Sequence, residues 1–124
     1  MDKKLKEQLS RIKLLICDID GVLTDGSFIK STSGDELRSF NALDGVGFVM
    51  LRLLDLNIKT AWITGRESLT TTQRSEELQI DDVYNGVIRK IDAYDELKDK
   101  YGLSDEEICF IGDDIIDIPL LEKV

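Results

Sequence analysis

Two acidic clusters hold the side chains best suited to chemistry in this chain, and each follows a short apolar run. The first is Asp18-Ile19-Asp20-Gly21, entered from Leu14-Leu15-Ile16-Cys17. The second is Gly112-Asp113-Asp114, entered from Ile108-Cys109-Phe110-Ile111, with Asp117 one helical turn further on. Apolar runs of this length bounded by turn signals read as strands buried on both faces of a parallel sheet. Carboxylates at the carboxyl ends of such strands lie where open α/β sheets bind their ligands. Converging there, they would repel one another, so a cation is expected among them. A donor set of oxygens suits a hard ion such as Mg²⁺.

The elements that must position these residues alternate between strand and helix. Lys13 to Cys17 reads as the first strand. Phe28 to Lys30 and Glu36 to Phe40 read as a hairpin around Ser31-Thr32-Ser33-Gly34-Asp35. Asp44 to Leu56 has the apolar spacing of a packed helix face. Lys59 to Ile63 is a second core strand, stopped by Thr64-Gly65-Arg66. A helix near Leu69 to Leu78 and a short strand near Asp82 to Tyr84 follow. Ile91 to Tyr101 is helical and closes at Gly102, and Ser104 to Glu107 has the capping-box pattern. A last helix is expected from Ile115 to Lys123, with Pro119 near its first turn. This alternation predicts an α/β fold, a doubly wound, Rossmann-like parallel sheet with a β-hairpin inserted after the first strand.

Bulk properties narrow the classes. The 124 residues predict a single domain spanning 1–124, and 42% apolar composition is enough for one core. With 25 acidic against 16 basic residues the formal charge is -9, a field that disfavours nucleic acid and anionic membrane partners. No signal-peptide pattern opens the chain and no apolar stretch is long enough to span a bilayer, so a cytoplasmic location is expected. Cys17 and Cys109 fall inside core strands and read as small buried hydrophobes. There is no histidine. Any acid–base chemistry therefore falls to Asp, Glu, Lys, Ser or Thr.

Taken singly, each feature has a plain structural explanation. Gly-Asp-Asp caps helices, Thr64-Gly65 stops a strand, Lys90 could lie on the surface, and Arg66 could pair with an acid. Together and in this order they resemble something more specific. Asp18-Ile19-Asp20-Gly21-Val22-Leu23-Thr24, Thr64-Gly65-Arg66, Lys90 and Gly112-Asp113-Asp114-Ile115-Ile116-Asp117 resemble the four motifs of the haloacid dehalogenase phosphatase superfamily. The likeness runs from about Ile12 to Val124 and is nearest to the capless branch that dephosphorylates bacterial sugar acids. It implies a haloacid dehalogenase-like fold and a homotetramer in which one subunit's hairpin closes the next subunit's active site. It also implies that the family's C-terminal strand, helix and tail are not included in these residues.

The chemistry follows from the residues as well. Asp18 is placed to attack phosphorus in line and form an aspartyl-phosphate. Asp20 would protonate the leaving oxygen and then deprotonate the hydrolytic water, its protonated form favoured by neighbouring carboxylates. Mg²⁺ on Asp18, the Asp20 carbonyl and Asp113 would neutralise the approach of one anion to another. Thr64 and Lys90 would hold the phosphoryl oxygens. By resemblance, Asp114 and Asp117 support the metal's waters and Lys90. Arg66, beside Gly65, is placed to meet a substrate carboxylate, while Asn41 and Asp44 either contact substrate hydroxyls or cap the next helix. The expected substrate is thus a small sugar-acid phosphate. By resemblance it is 3-deoxy-D-manno-octulosonate 8-phosphate, used in lipopolysaccharide precursor synthesis. The alternatives are a nonulosonic acid 9-phosphate or a non-catalytic assembly domain.

Overall fold

Strands and helices alternate as the hydrophobic pattern dictates, and the computed structural model describes residues 1–124. A short helix, α1 (Lys3–Leu9), precedes strand β1 (Leu14–Cys17). The hairpin strands β2 (Ile29–Lys30) and β3 (Glu36–Leu37) come next, then helix α2 (Ala42–Leu53) and strand β4 (Lys59–Thr64). Helix α3 (Leu69–Leu78), strand β5 (Asp82–Asn85) and helix α4 (Lys90–Tyr101) follow. A 3₁₀ turn at Asp105–Glu107 leads into β6 (Ile108–Ile111), and another at Ile115–Asp117 leads into α5 (Ile118–Leu121).

The four core strands form one parallel sheet in the order β5-β4-β1-β6. β1 is central, with Leu14 opposite Lys59 on one side and Ile108 on the other. From β1 the chain moves outward through β4 to β5, then returns across the sheet to place β6 on the far side of β1. That reversal opens a crevice between the carboxyl ends of β1 and β6. Both acidic clusters leave their strands there.

Alternation along the strands divides the core into two layers. Leu14, Ile16, Ala61, Ile63, Ile108 and Phe110 pack with Tyr94 and Leu97 of α4 and Leu120 of α5. Cys17 and Trp62 point to the opposite face, against Phe48 of α2 and Leu78 of α3. Phe48 meets the Trp62 ring edge-on at 5.7 Å between centroids, a favoured aromatic geometry. Helices thus cover both faces, as the alternation predicts. Burial, with negative neighbours adding to it, pushes the Cys17 thiol up to about 12, so it behaves as a small hydrophobe. No helix is long and apolar enough to cross a membrane.

The departures are local and have identifiable causes. The hairpin strands are two residues each, because only Ile29 with Leu37 and Lys30 with Glu36 form a ladder before Arg38 turns inward. Helix α2 starts at Ala42 because Asn41 caps it, accepting the Leu43 N–H at 2.8 Å. It ends at Leu53, and Asp55 and Asn57 just beyond adopt positive φ of 49° and 53°. The last helix is split, since Asp114 first caps a 3₁₀ turn and Pro119 sits in the first turn of α5. Helix α1, unforeseen from the pattern, is capped by Asp2 and buries none of its residues.

Asp81 fastens β4 to the start of β5. Its carboxylate accepts from the Thr60 N–H at 2.9 Å, the Thr60 hydroxyl at 3.1 Å and the Lys59 ammonium at 3.1 Å. Burial alone would raise its pKa, but these donors outweigh burial and hold the carboxyl below its ordinary value. With the folded value depressed, its stabilisation is complete above the unfolded value of about 4 and disappears as pH falls through the folded one. Asp81→Ala should lower stability by about 1–3 kcal/mol at neutral pH. Melting temperatures below about pH 4 should then fall less steeply in the variant than in the parent. Parallel acid profiles for the two proteins would contradict this account.

Candidate active site

Asp18 follows β1 directly, and its backbone N–H still donates to Ile111 O at 2.9 Å, so the strand ladder holds it in place. Its side chain is almost enclosed and faces Lys90, the first residue of α4. The Lys90 ammonium is itself buried and lies between two carboxylates, 2.8 Å from Asp18 Oδ1 and 2.6 Å from Asp117 Oδ1. A buried cation of this kind is tolerated only when paired and hydrogen-bonded. Burial raises the Asp18 pKa, Lys90 pulls it down, and Asp117 nearby raises it again; the net direction is upward. Asp117 is fully buried, and its second oxygen accepts the N–H groups of Asp113 at 3.0 Å and Asp114 at 3.1 Å. Gly112 is required at that turn, because a Cβ there would stand 2.5 Å from Asp117 Oδ2.

Carboxylate oxygens of Asp18, Asp113 and Asp117 lie within 4.8 Å of one another. Lys90 and two backbone amides already occupy Asp117, so it serves better as a brace than as a ligand. Asp18 and Asp113 are the carboxylates left to face an ion. Asp113 Oδ2 packs onto bare Gly21, only 1.8 Å from where a Cβ would be, so the loop after β1 and the loop after β6 are in contact. Hard oxygen donors brought together in this way fit a divalent cation such as Mg²⁺. Asp114 caps the following 3₁₀ turn, accepting the Ile115 N–H at 2.6 Å.

Above this floor opens a cleft of about 510 Å³ lined by Asp18, Asp20, Thr64, Gly65, Arg66, Lys90 and Asp114, with apolar wall from Phe28, Ile88 and Ile116. The structure therefore gathers most of the residues expected at the site. Thr64 is buried at the end of β4, and its hydroxyl accepts the Arg66 N–H at 3.4 Å. The Arg66 guanidinium lies 4.0 Å from the Phe28 ring centroid and 3.5 Å from Glu36, so the hairpin orders it. Asn41 and Asp44 are elsewhere: they line a separate cleft with Val22 and Thr24, and Asn41 is the cap of α2. Within one chain neither reaches the Asp18 cleft.

Asp20 has a partner that the motifs did not suggest: Arg38 holds it in a fork, Nε to Oδ1 at 2.7 Å and Nη2 to Oδ2 at 3.2 Å. Sequence reading missed Arg38. Its only trace there is the Glu36-Leu37-Arg38 spacing, which puts Glu36 and Arg38 on one face of a strand without saying what that face meets.

The parallel sheet thus ends in a carboxylate pair, a buried lysine and a cation-compatible loop, and comparison with known proteins gives the family of this arrangement. Residues 52–124 match the haloacid dehalogenase-like hydrolase family model. The chain belongs to that family. It is 41% identical over 113 residues to the 3-deoxy-D-manno-octulosonate 8-phosphate phosphatase of Salmonella typhi, covering 91% of this chain and 59% of that protein. The chain thus spans about three fifths of the length of the curated relatives it matches. The crystal structure of the Yersinia pestis phosphatase of the same name superposes with a TM-score of 0.94 at 36% identity, covering all of this chain and 66% of that one. The Moraxella catarrhalis enzyme, solved with magnesium, phosphate and the sugar acid, superposes at 0.93 with 31% identity, covering all of this chain and 70% of that one.

The Gly21–Asp113 contact is directly testable. Gly21 has φ +89°, a region that costs an alanine about 1–2 kcal/mol before any clash. Gly21→Ala should lose at least that much stability and push Asp113 off its position. Any Mg²⁺-dependent rise in melting temperature should shrink in the variant, and an unchanged rise would show that Asp113 does not depend on this packing.

Proposed function

We propose that this single domain, residues 1–124, is a Mg²⁺-dependent phosphatase acting on a sugar-acid phosphate through an aspartyl-phosphate. The observation that carries the reading is Lys90, held buried between Asp18 and Asp117 at the floor of the cleft that Thr64 also lines. Asp18 attacks phosphorus in line, and the electron pair of the breaking P–O bond passes to the leaving oxygen. Asp20 gives that oxygen its proton, then takes one from the water that hydrolyses the aspartyl-phosphate. The Lys90 ammonium and the Thr64 hydroxyl hold the phosphoryl oxygens as charge shifts among them. Mg²⁺ on Asp18, the Asp20 carbonyl and Asp113 would offset the repulsion between the carboxylate and the phosphate dianion. Asp117 keeps Lys90 and the Asp113 loop in register.

The relatives' names and the magnesium, phosphate and sugar-acid ligands of one of them favour 3-deoxy-D-manno-octulosonate 8-phosphate as substrate. A role in cytoplasmic lipopolysaccharide precursor synthesis goes with that substrate. Assembly as a homotetramer goes with the family resemblance, and the hairpin's Ile29 and Leu37, exposed at 67% and 57%, offer apolar surface for a subunit contact.

Asp18→Asn should fold and lose turnover of every phosphate ester, because it removes the nucleophile while Lys90 keeps Asp117 as a partner. Mg²⁺ at a hundredfold excess over its Kd should stabilise the parent by roughly 2–3 kcal/mol. Activity near the parental rate in Asp18→Asn, or a melting temperature indifferent to Mg²⁺, would overturn the reading.

Arg66 tests the substrate class. Its guanidinium is already oriented by Phe28 and needs only to exchange Glu36 for a substrate carboxylate. Arg66→Ala should lower kcat/KM for the sugar-acid phosphate by about tenfold or more, chiefly through KM, since a charge-assisted fork is lost. An aryl phosphate without a carboxylate should be scarcely affected. Equal losses on both esters would assign Arg66 to the hairpin's structure instead.

A further inference from the structure

Resting on the phosphatase reading, we infer that Arg38 is the positioning residue for Asp20, setting the carboxyl that serves the leaving group and the water. Asp20 is three residues beyond Cys17, the last residue of β1, and has no strand ladder of its own to orient its side chain. Asp18 differs, being fixed by its strand pairing and by Lys90. What fixes Asp20 is the Arg38 fork, with both carboxylate oxygens engaged at 2.7 and 3.2 Å. Two parallel N–H···O bonds set the plane of a carboxylate as well as its distance. Each oxygen keeps a second lone pair, and Asp20 still lines the cleft with 26% of its side chain exposed.

The guanidinium is held rigidly on its other side. Its side chain is 0% exposed, Nη1 lies 3.1 Å from Glu36 Oε1, and Nη1 donates to the Thr70 hydroxyl at 3.4 Å. Glu36 also pairs with Arg66, so the hairpin is tied at one point to Asp20 and at another to the candidate substrate clamp. A proton-transfer group displaced by about an ångström can lose a hundredfold in rate, which makes a fork of this kind matter to the chemistry and not only to the fold. A lysine could supply the charge at this place but not the two-point geometry.

The leaving group distinguishes positioning from structure. An alkyl phosphate leaves as a strongly basic alkoxide and needs the proton from Asp20. A p-nitrophenyl phosphate leaves as a stable phenolate and does not. With Mg²⁺ present, Arg38→Lys should lower kcat/KM, which reports the steps up to departure of the leaving group and not the later hydrolysis common to both esters, by about tenfold or more on 3-deoxy-D-manno-octulosonate 8-phosphate and by less than about threefold on p-nitrophenyl phosphate. Asp20→Asn should show the same split, enlarged, and Arg38→Lys added to Asp20→Asn should cost the alkyl ester nothing further. Arg38→Gln, read alongside, should reproduce the split without the positive charge. Equal losses on the two esters from an active parent would overturn the inference alone. So would additive losses in the double variant, or failure of both Arg38 variants to melt as folded proteins. A parent inactive on both esters would overturn the phosphatase reading itself.

Discussion

A lysine ammonium buried between two carboxylates is the constraint around which this molecule is organised. Removed from water, the Lys90 charge is stable only because Asp18 and Asp117 lie within 2.8 Å of it. Deleting one partner of a buried pair typically costs about 3–5 kcal/mol, since the other charge is left uncompensated. Each member is delivered by a different element: Asp18 by β1, Lys90 by the start of α4, and Asp117 by the turn before α5. The parallel order β5-β4-β1-β6, the Gly112 turn and the N–H groups of Asp113 and Asp114 all serve to bring them together. The ion pair is therefore a meeting point for the whole topology.

The cleft combines a rigid floor with a more loosely attached wall. Asp18, Thr64 and Lys90 sit on strand ends or a helix start whose backbones are locked in the core. The wall is the β2–β3 hairpin, a two-pair ladder joined to the floor mainly through Arg38 and Arg66. Floor and wall are coupled, because the Arg38 that holds Asp20 follows directly on the hairpin strand β3. The charge distribution follows the same division. Although the chain carries -9 overall, Lys90 and Arg66 both line this one cleft, where they are the cationic groups an anion could meet.

Much of this was present in the linear sequence, because strand burial and turn chemistry are local properties. The apolar runs at Leu14–Cys17 and Ile108–Ile111 and the acidic residues after them identify both strand ends from types and spacing alone. Thr64 was legible at the end of a recognisable strand, whereas Lys90 stood out only as one of the motifs the chain resembles. The helix carrying Leu69 to Leu78 was readable to the residue, whereas α1, which buries nothing, has no periodicity to reveal it.

Tertiary structure decided what pairs with what. That Asp117 braces Lys90 and orients the Asp113 loop, that Asp113 rests on Gly21, and that Asn41 and Asp44 face another cleft all depend on distances across the sheet. Above all, Arg38 on Asp20 joins residues 18 positions apart through a hairpin whose orientation no local pattern encodes. Residue type and strand periodicity specify which groups end a strand and which face they share. Only packing, by bringing separate elements into contact and excluding water between them, specifies the partner that each charge finds.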